Sequence, residues 1–143
     1  MEIRDAAVLA AVAASDKKAT DIMVIDVAEL LVVTEFFVIA TGNTDIQVRA
    51  IADEVEDRVR EEAGMKPIGR EGADEGKWVL LDYGDFVVHV FQPEERGFYR
   101  LEKLWGDAPR VALPADVASA STGSGPDEGA EAAAERLAEG PDA

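Results

Sequence analysis

Residues 77–92, KWVLLDYGDFVVHVFQ, decide the fold. They read as two β-strands joined by a two-residue loop, Gly84-Asp85, between apolar runs. Glycine at the first loop position suits a type II′ turn, which needs a positive φ there and follows the twist of the flanking strands. A loop of that length sets the register. Tyr83 faces Phe86, Leu81 faces Val88, Val79 faces Val90, and Trp78 faces Phe91. Side chains alternate along a strand, so the hairpin sorts into two faces. Val79, Leu81, Tyr83, Phe86, Val88 and Val90 form a core face. Trp78, Leu80, Asp82, Val87, His89 and Phe91 form a second one, apolar but holding an acid and the chain's single histidine. Such a surface either packs beneath helices or receives a partner.

Composition narrows the function classes. At 143 residues the chain makes one domain of ordinary size, large enough to bury a core. The absence of cysteine excludes disulfides, thiolate zinc sites and a cysteine nucleophile. One histidine excludes histidine-rich metal centres as well. A formal net charge of -16 opposes sequence-independent binding to nucleic-acid phosphates and favours a basic partner for any charged contact.

Residues 6–14 (AAVLAAVAA) imitate a signal-peptide core. Glu2, Arg4 and Asp5 precede them instead of a positive region, and Ser15-Asp16-Lys17-Lys18 follows instead of a cleavage site. The run also falls short of the roughly 20 residues that span a bilayer. The expectation is an Ala-rich helix of a cytoplasmic protein, over residues 3–14.

Strands are expected at residues 22–27 (IMVIDV) and 34–41 (TEFFVIAT), with residues 29–33 ambiguous. The unalternating Phe36-Phe37-Val38-Ile39-Ala40 reads as a central strand covered on both sides. After Gly42-Asn43, Thr44 and Gln47 form a capping box. Val48, Ile51, Val55 and Val59 make the apolar stripe of the following helix, and Gly64 ends it. Residues 66–76 hold at most a short edge strand. Beyond the hairpin, Pro93-Glu94-Glu95 starts a helix that Gly97 interrupts. It resumes at residues 98–105 with Phe98, Leu101 and Trp105 on one side, and Gly106 closes it. From Asp107 onward there are eight acids against two arginines and few large apolar residues, so residues 107–143 read as a disordered acidic tail. The expected fold is a single α/β domain over residues 1–106, a mixed β-sheet with flanking helices in the order α-β-β-α-(β)-β-β-α.

Three constellations invite chemistry. Thr41-Gly42-Asn43-Thr44-Asp45 lies between a strand and a helix N-terminus, where anions bind. With no GxGxxG or GK[ST] pattern, a tight turn plus a helix cap explains it better. Asp82 and Asp85 flank the hairpin turn without a supporting third ligand, and His89 has no nucleophile motif beside it. Trp78, Phe91, Tyr99 and Trp105 with Arg96 form an aromatic and arginine group of the kind that populates binding hot spots.

The run KWVLLDYGDFVVHVFQPEERGFYRLEKLW resembles the signature of the ribosomal silencing factor family, also called the Iojap-related family. Asp26-Val27, Phe37-Val38-Ile39-Ala40-Thr41-Gly42 and Glu71-Gly72 agree in order and spacing, so the resemblance spans about residues 5–110. Glu35 stands where the family usually has aspartate. The resemblance implies a nucleotidyltransferase-like fold without the catalytic carboxylates, and no catalytic residue, metal or cofactor. It implies a homodimer that binds a basic protein of the large ribosomal subunit, blocks joining of the small subunit and lowers translation when nutrients are short. Trp78, Leu80, Asp82, His89, Phe91, Arg96 and Tyr99 are the expected partner-binding set, with Trp78, Leu80, Asp82 and His89 at least partly exposed. No contact to nucleic acid or membrane is expected. The alternatives are a nucleotidyl- or phosphotransferase, suggested by fold analogy alone, and an adaptor working through the acidic tail.

Overall fold

The computed structural model describes residues 1–100, 103, 106 and 108–117 of the chain. Helix α1 (Ile3–Asp16) leads to β1 (Thr20–Asp26) and β2 (Phe36–Thr41). Then come α2 (Asp45–Ala63), β3 (Gly69–Glu71), β4 (Trp78–Asp82), β5 (Phe86–Phe91) and α3 (Pro93–Tyr99). The five strands form one mixed sheet in the order β1-β2-β5-β4-β3. Only β2 and β5 run parallel; every other neighbouring pair is antiparallel. The single-domain α/β fold with a mixed sheet is the one expected.

The hairpin register is also as expected: Trp78 pairs with Phe91, Val79 with Val90, Leu80 with His89 and Leu81 with Val88. The turn differs in detail. Gly84 takes φ +83°, and Asp85 N–H bonds to the Tyr83 carbonyl at 3.0 Å, the bond of a γ-turn rather than of a type II′ turn. One Asp82 carboxylate oxygen accepts from Gly84 N–H at 2.8 Å and holds the turn from below.

Helices α1 and α2 cover the core face. The buried residues of α1 are all alanines: Ala6, Ala7, Ala10, Ala11, Ala13 and Ala14. Their small side chains let it lie close against α2 and the sheet. The stripe Val48, Ile51, Val55 and Val59 buries α2 against the same cluster, which includes Val79, Leu81, Tyr83, Phe86, Val88 and Val90. The α2 cap works as read from Thr44 and Gln47, with an extension. Thr44 Oγ1 accepts from Gln47 N–H at 3.0 Å, and Gln47 Oε1 accepts from Asn43 N–H at 2.7 Å. Gln47 Nε2 also donates to the carbonyls of Lys17 and Lys18, tying the end of α1 to the start of α2.

Two expectations need correction. Gly97 does not break α3; it lies inside the helix, which continues to Tyr99. The acidic tail does not begin at residue 107. Residues 108–117 lie along the outer edge of β1: Asp26 N–H bonds to Pro109 O, Val111 N–H to Val24 O, and Ile25 bridges Arg110. Ala108, Val111 and Val117 are buried there. Backbone pairing with an open strand edge holds a segment whose side chains are too few to suggest a core. Trp105 and residues 118–143, including the rest of the expected tail, fall outside the described residues.

Candidate functional site

The second sheet face carries a smaller core of Met23, Ile25, Val27, Phe37, Ile39, Trp78, Phe91 and Ala108. Leu31, Val87 and Tyr99 pack against it from the margin. The expected partner-binding residues all belong to this side or to α3 beside it, but most are not accessible. Trp78, Leu80, His89, Phe91 and Arg96 are buried; Asp82 and Tyr99 are half-buried. The expectation that Trp78, Leu80 and His89 stand exposed is therefore wrong. For Trp78 the reason includes α3. Because it runs on through Gly97, it lays the Tyr99 ring with its centroid 4.8 Å from that of the Trp78 indole, which also contacts Phe91 at 4.7 Å. Arg96 is fastened over the same face by donating from Nη1 to Thr41 Oγ1 at 2.8 Å.

His89 sits in the middle of this layer. Its ring meets Phe37 edge-on at 4.8 Å, and its Nδ1 accepts from the Trp78 indole N–H at 3.1 Å. Burial pushes its pKa down to about 3, because no charge or hydrogen bond offsets the desolvation of an imidazolium. It is a neutral packing element, not an acid–base group. Asp82 lies towards the open end of the face, with one oxygen committed to the turn.

The Thr41–Asp45 turn is committed as well. Besides the two cap bonds, Gly42 N–H bonds to the Phe91 carbonyl at 2.8 Å, and Thr41 holds Arg96. The N–H groups of Gly42 and Asn43 are both used within the fold. Among the described residues, no three of His, Asp and Glu come together as a metal-binding group. None of the helices among them is long and apolar enough to cross a membrane.

Sequence reading left one accessible feature of this side as ambiguous. Between β1 and β2 the chain forms a loop held at both ends. Asp26 Oδ1 accepts from Ala28 N–H, and the N–H groups of Leu30 and Leu31 bond to the Val27 carbonyl. Val27 N–H bonds to Glu35 O, and Glu35 N–H to Asp85 O. Leu31 turns in against the second core while Leu30, Val32 and Val33 point outward. The unbroken apolar run Leu30-Leu31-Val32-Val33 was the available signal, but it fits a strand as well as a loop.

The model of the family described as "Ribosomal silencing factor during starvation" matches residues 1–139. The ribosomal silencing factor of Bacillus subtilis is 50% identical over 105 residues, covering 73% of this chain and 88% of that protein. The chloroplastic protein Iojap of Zea mays is 42% identical over 114 residues, covering 78% of this chain and 48% of that protein. A crystal structure of a Chromobacterium violaceum protein superposes with a TM-score of 0.71 at 38% identity, covering 82% of this chain and 97% of that one. The family model spans every element of the fold, and the chain belongs to the ribosomal silencing factor family.

Proposed function

We propose that this protein is a translational repressor that binds a basic protein of the large ribosomal subunit at the intersubunit face. By occupying that face it blocks association with the small subunit and lowers translation under nutrient limitation. Membership of the family makes it a ribosome-associated regulator of translation. The observation that carries the finer reading is the 50% identity to the Bacillus subtilis silencing factor over 105 residues, 88% of that protein. The net charge of -16 supports it, since a protein this acidic is attracted to a basic protein and repelled by ribosomal RNA. The repressor acts by occupancy, in the cytoplasm, without metal, cofactor or catalysis, and is a homodimer away from the ribosome. Asp82 and Tyr99 contribute the accessible part of the docking set, and buried Trp78, Leu80, His89, Phe91 and Arg96 support them from beneath.

Co-sedimentation of the purified protein with isolated large and small subunits tests the reading. Binding to large subunits only, with fewer joined ribosomes in its presence, is expected. Equal binding to both subunits, or none, rejects it. Specific micromolar nucleotide binding by calorimetry would favour the transferase reading instead.

A further inference from the structure

We propose that the outward tip of the β1–β2 loop, Leu30, Val32 and Val33, is a docking surface for a basic protein and anchors the contact with the large subunit. The inference rests on the function proposed above and adds a site to it. Leu30 is 48% exposed, Val32 104% and Val33 82%, three apolar side chains within four residues. Ile46 and Ile68 are also exposed, but each stands alone in the sequence, and isolated exposed apolar residues need no explanation. A cluster at one loop tip does.

The tip is not slack chain. Backbone bonds from Leu30 and Leu31 to Val27, from Val27 to Glu35 and from Glu35 to Asp85 fix the loop at both ends. Inward-facing Leu31 anchors it to the second core, so the three outward residues are presented on a preorganised support. They stand at the end of the sheet where Phe36 pairs with Phe86 and Asp82 with Val87, beside the half-buried Asp82 and Val87. Buried Trp78 and His89 cannot make first contact with a partner; this tip can.

Charge selects the occupant. Asp26, Glu29 and Glu35 flank the tip in sequence, and Asp85 is bonded to Glu35 through the backbone. No lysine or arginine occurs between Lys18 and Arg49, and Arg110, bridged to Ile25 at the foot of the loop, leaves the acids in excess. A second copy docking through this patch would set the same acids against each other, because a two-fold interface pairs like with like. A basic protein offering an apolar pocket meets both the valines and their acidic rim.

The test compares the full-length parent, Val32→Ser/Val33→Ser and Val32→Lys by co-sedimentation with isolated large subunits, melting temperature and sedimentation velocity. Because these side chains are exposed, melting temperature and mass should match the parent. The apparent Kd for the large subunit should rise about tenfold or more in the double variant, and Val32→Lys should bind no better. Parent-like binding by both variants, within about twofold, overturns the proposal. Normal binding with a halved mass also overturns it, by assigning the tip to a second copy. If the parent itself does not sediment with large subunits, the proposed function fails and takes this site with it.

Discussion

The indole N–H of Trp78 donates to Nδ1 of His89 at 3.1 Å, diagonally across the β4–β5 pair. Accepting there leaves the imidazole proton on Nε2, which is buried with no hydrogen-bond partner. The only histidine of the chain is thus held neutral in one tautomer by a neighbouring tryptophan, inside a layer of aromatic rings. This pair governs how the second face responds to mutation and to acid.

Trp78 is a core residue before it is a contact residue. Trp78→Ala should cost about 3–5 kcal/mol of stability through the cavity left beside Phe91 and Tyr99. Trp78→Phe should cost about 1–3 kcal/mol, because His89 Nδ1 then has no donor. Urea denaturation reads both. An unchanged midpoint for Trp78→Ala would contradict the packing described here.

Acid should loosen this layer before the carboxylates titrate. The folded pKa of His89, about 3, lies below the ordinary 6.5, so below pH 6.5 the unfolded chain binds a proton that the folded one refuses. Stability is therefore full above that value and falls as pH drops through the window towards 3. Between pH 7 and 5 the loss should be about 2 kcal/mol. Denaturation midpoints across that range should show the slope in the parent and lose it in His89→Phe.

The segment on the edge of β1 should behave as part of the domain. Ending the chain before Ala108 removes buried Val111 and Val117 and the bonds to Val24 and Asp26. Two buried valines alone are worth about 3 kcal/mol. A chain ending after Val117 should keep the melting temperature of the full protein. Equal melting of both truncations would mean that residues 108–117 contribute nothing.

Gly72 and Gly97 should respond in opposite directions to alanine. At Gly72, with φ +84°, a Cβ would sit 2.0 Å from the carbonyl oxygen of Trp78. Strained backbone and overpacking together should cost about 2 kcal/mol or more. Exposed Gly97 lies inside α3 with nothing within 4 Å of a Cβ, and Gly97→Ala should add about 0.5–1 kcal/mol. Thermal denaturation of the two variants checks the contrast.

Much of this molecule is legible in its sequence wherever local rules decide. The hairpin register follows from the two-residue loop, the α2 cap from Thr44 and Gln47, and the core face from alternation. Where long-range docking decides, local rules fail. Nothing near Gly97 in sequence says that the continued helix will bring Tyr99 against Trp78, 21 positions earlier. The backbone pairing of Pro109 and Val111 with β1 is likewise invisible to composition. It depends on an unfilled strand edge contributed by residues 20–26. The site suffered the same way. Trp78, His89 and Phe91 were correctly assigned to one face, but whether that face is open depends on α3.

The edge pairing of residues 108–117 has a consequence for biosynthesis. The chain emerges from its N-terminus, so β1 is made early, while the segment that satisfies its outer edge, residues 108–117, follows more than 80 residues later. Until that segment arrives, a nascent molecule carries an unpaired strand edge bearing Ile22, Val24 and their free backbone groups. Such an edge is a template for pairing with other chains. Premature termination ahead of residue 108 would leave that hazard permanent, so incomplete products of this chain should aggregate even where most of the core has formed.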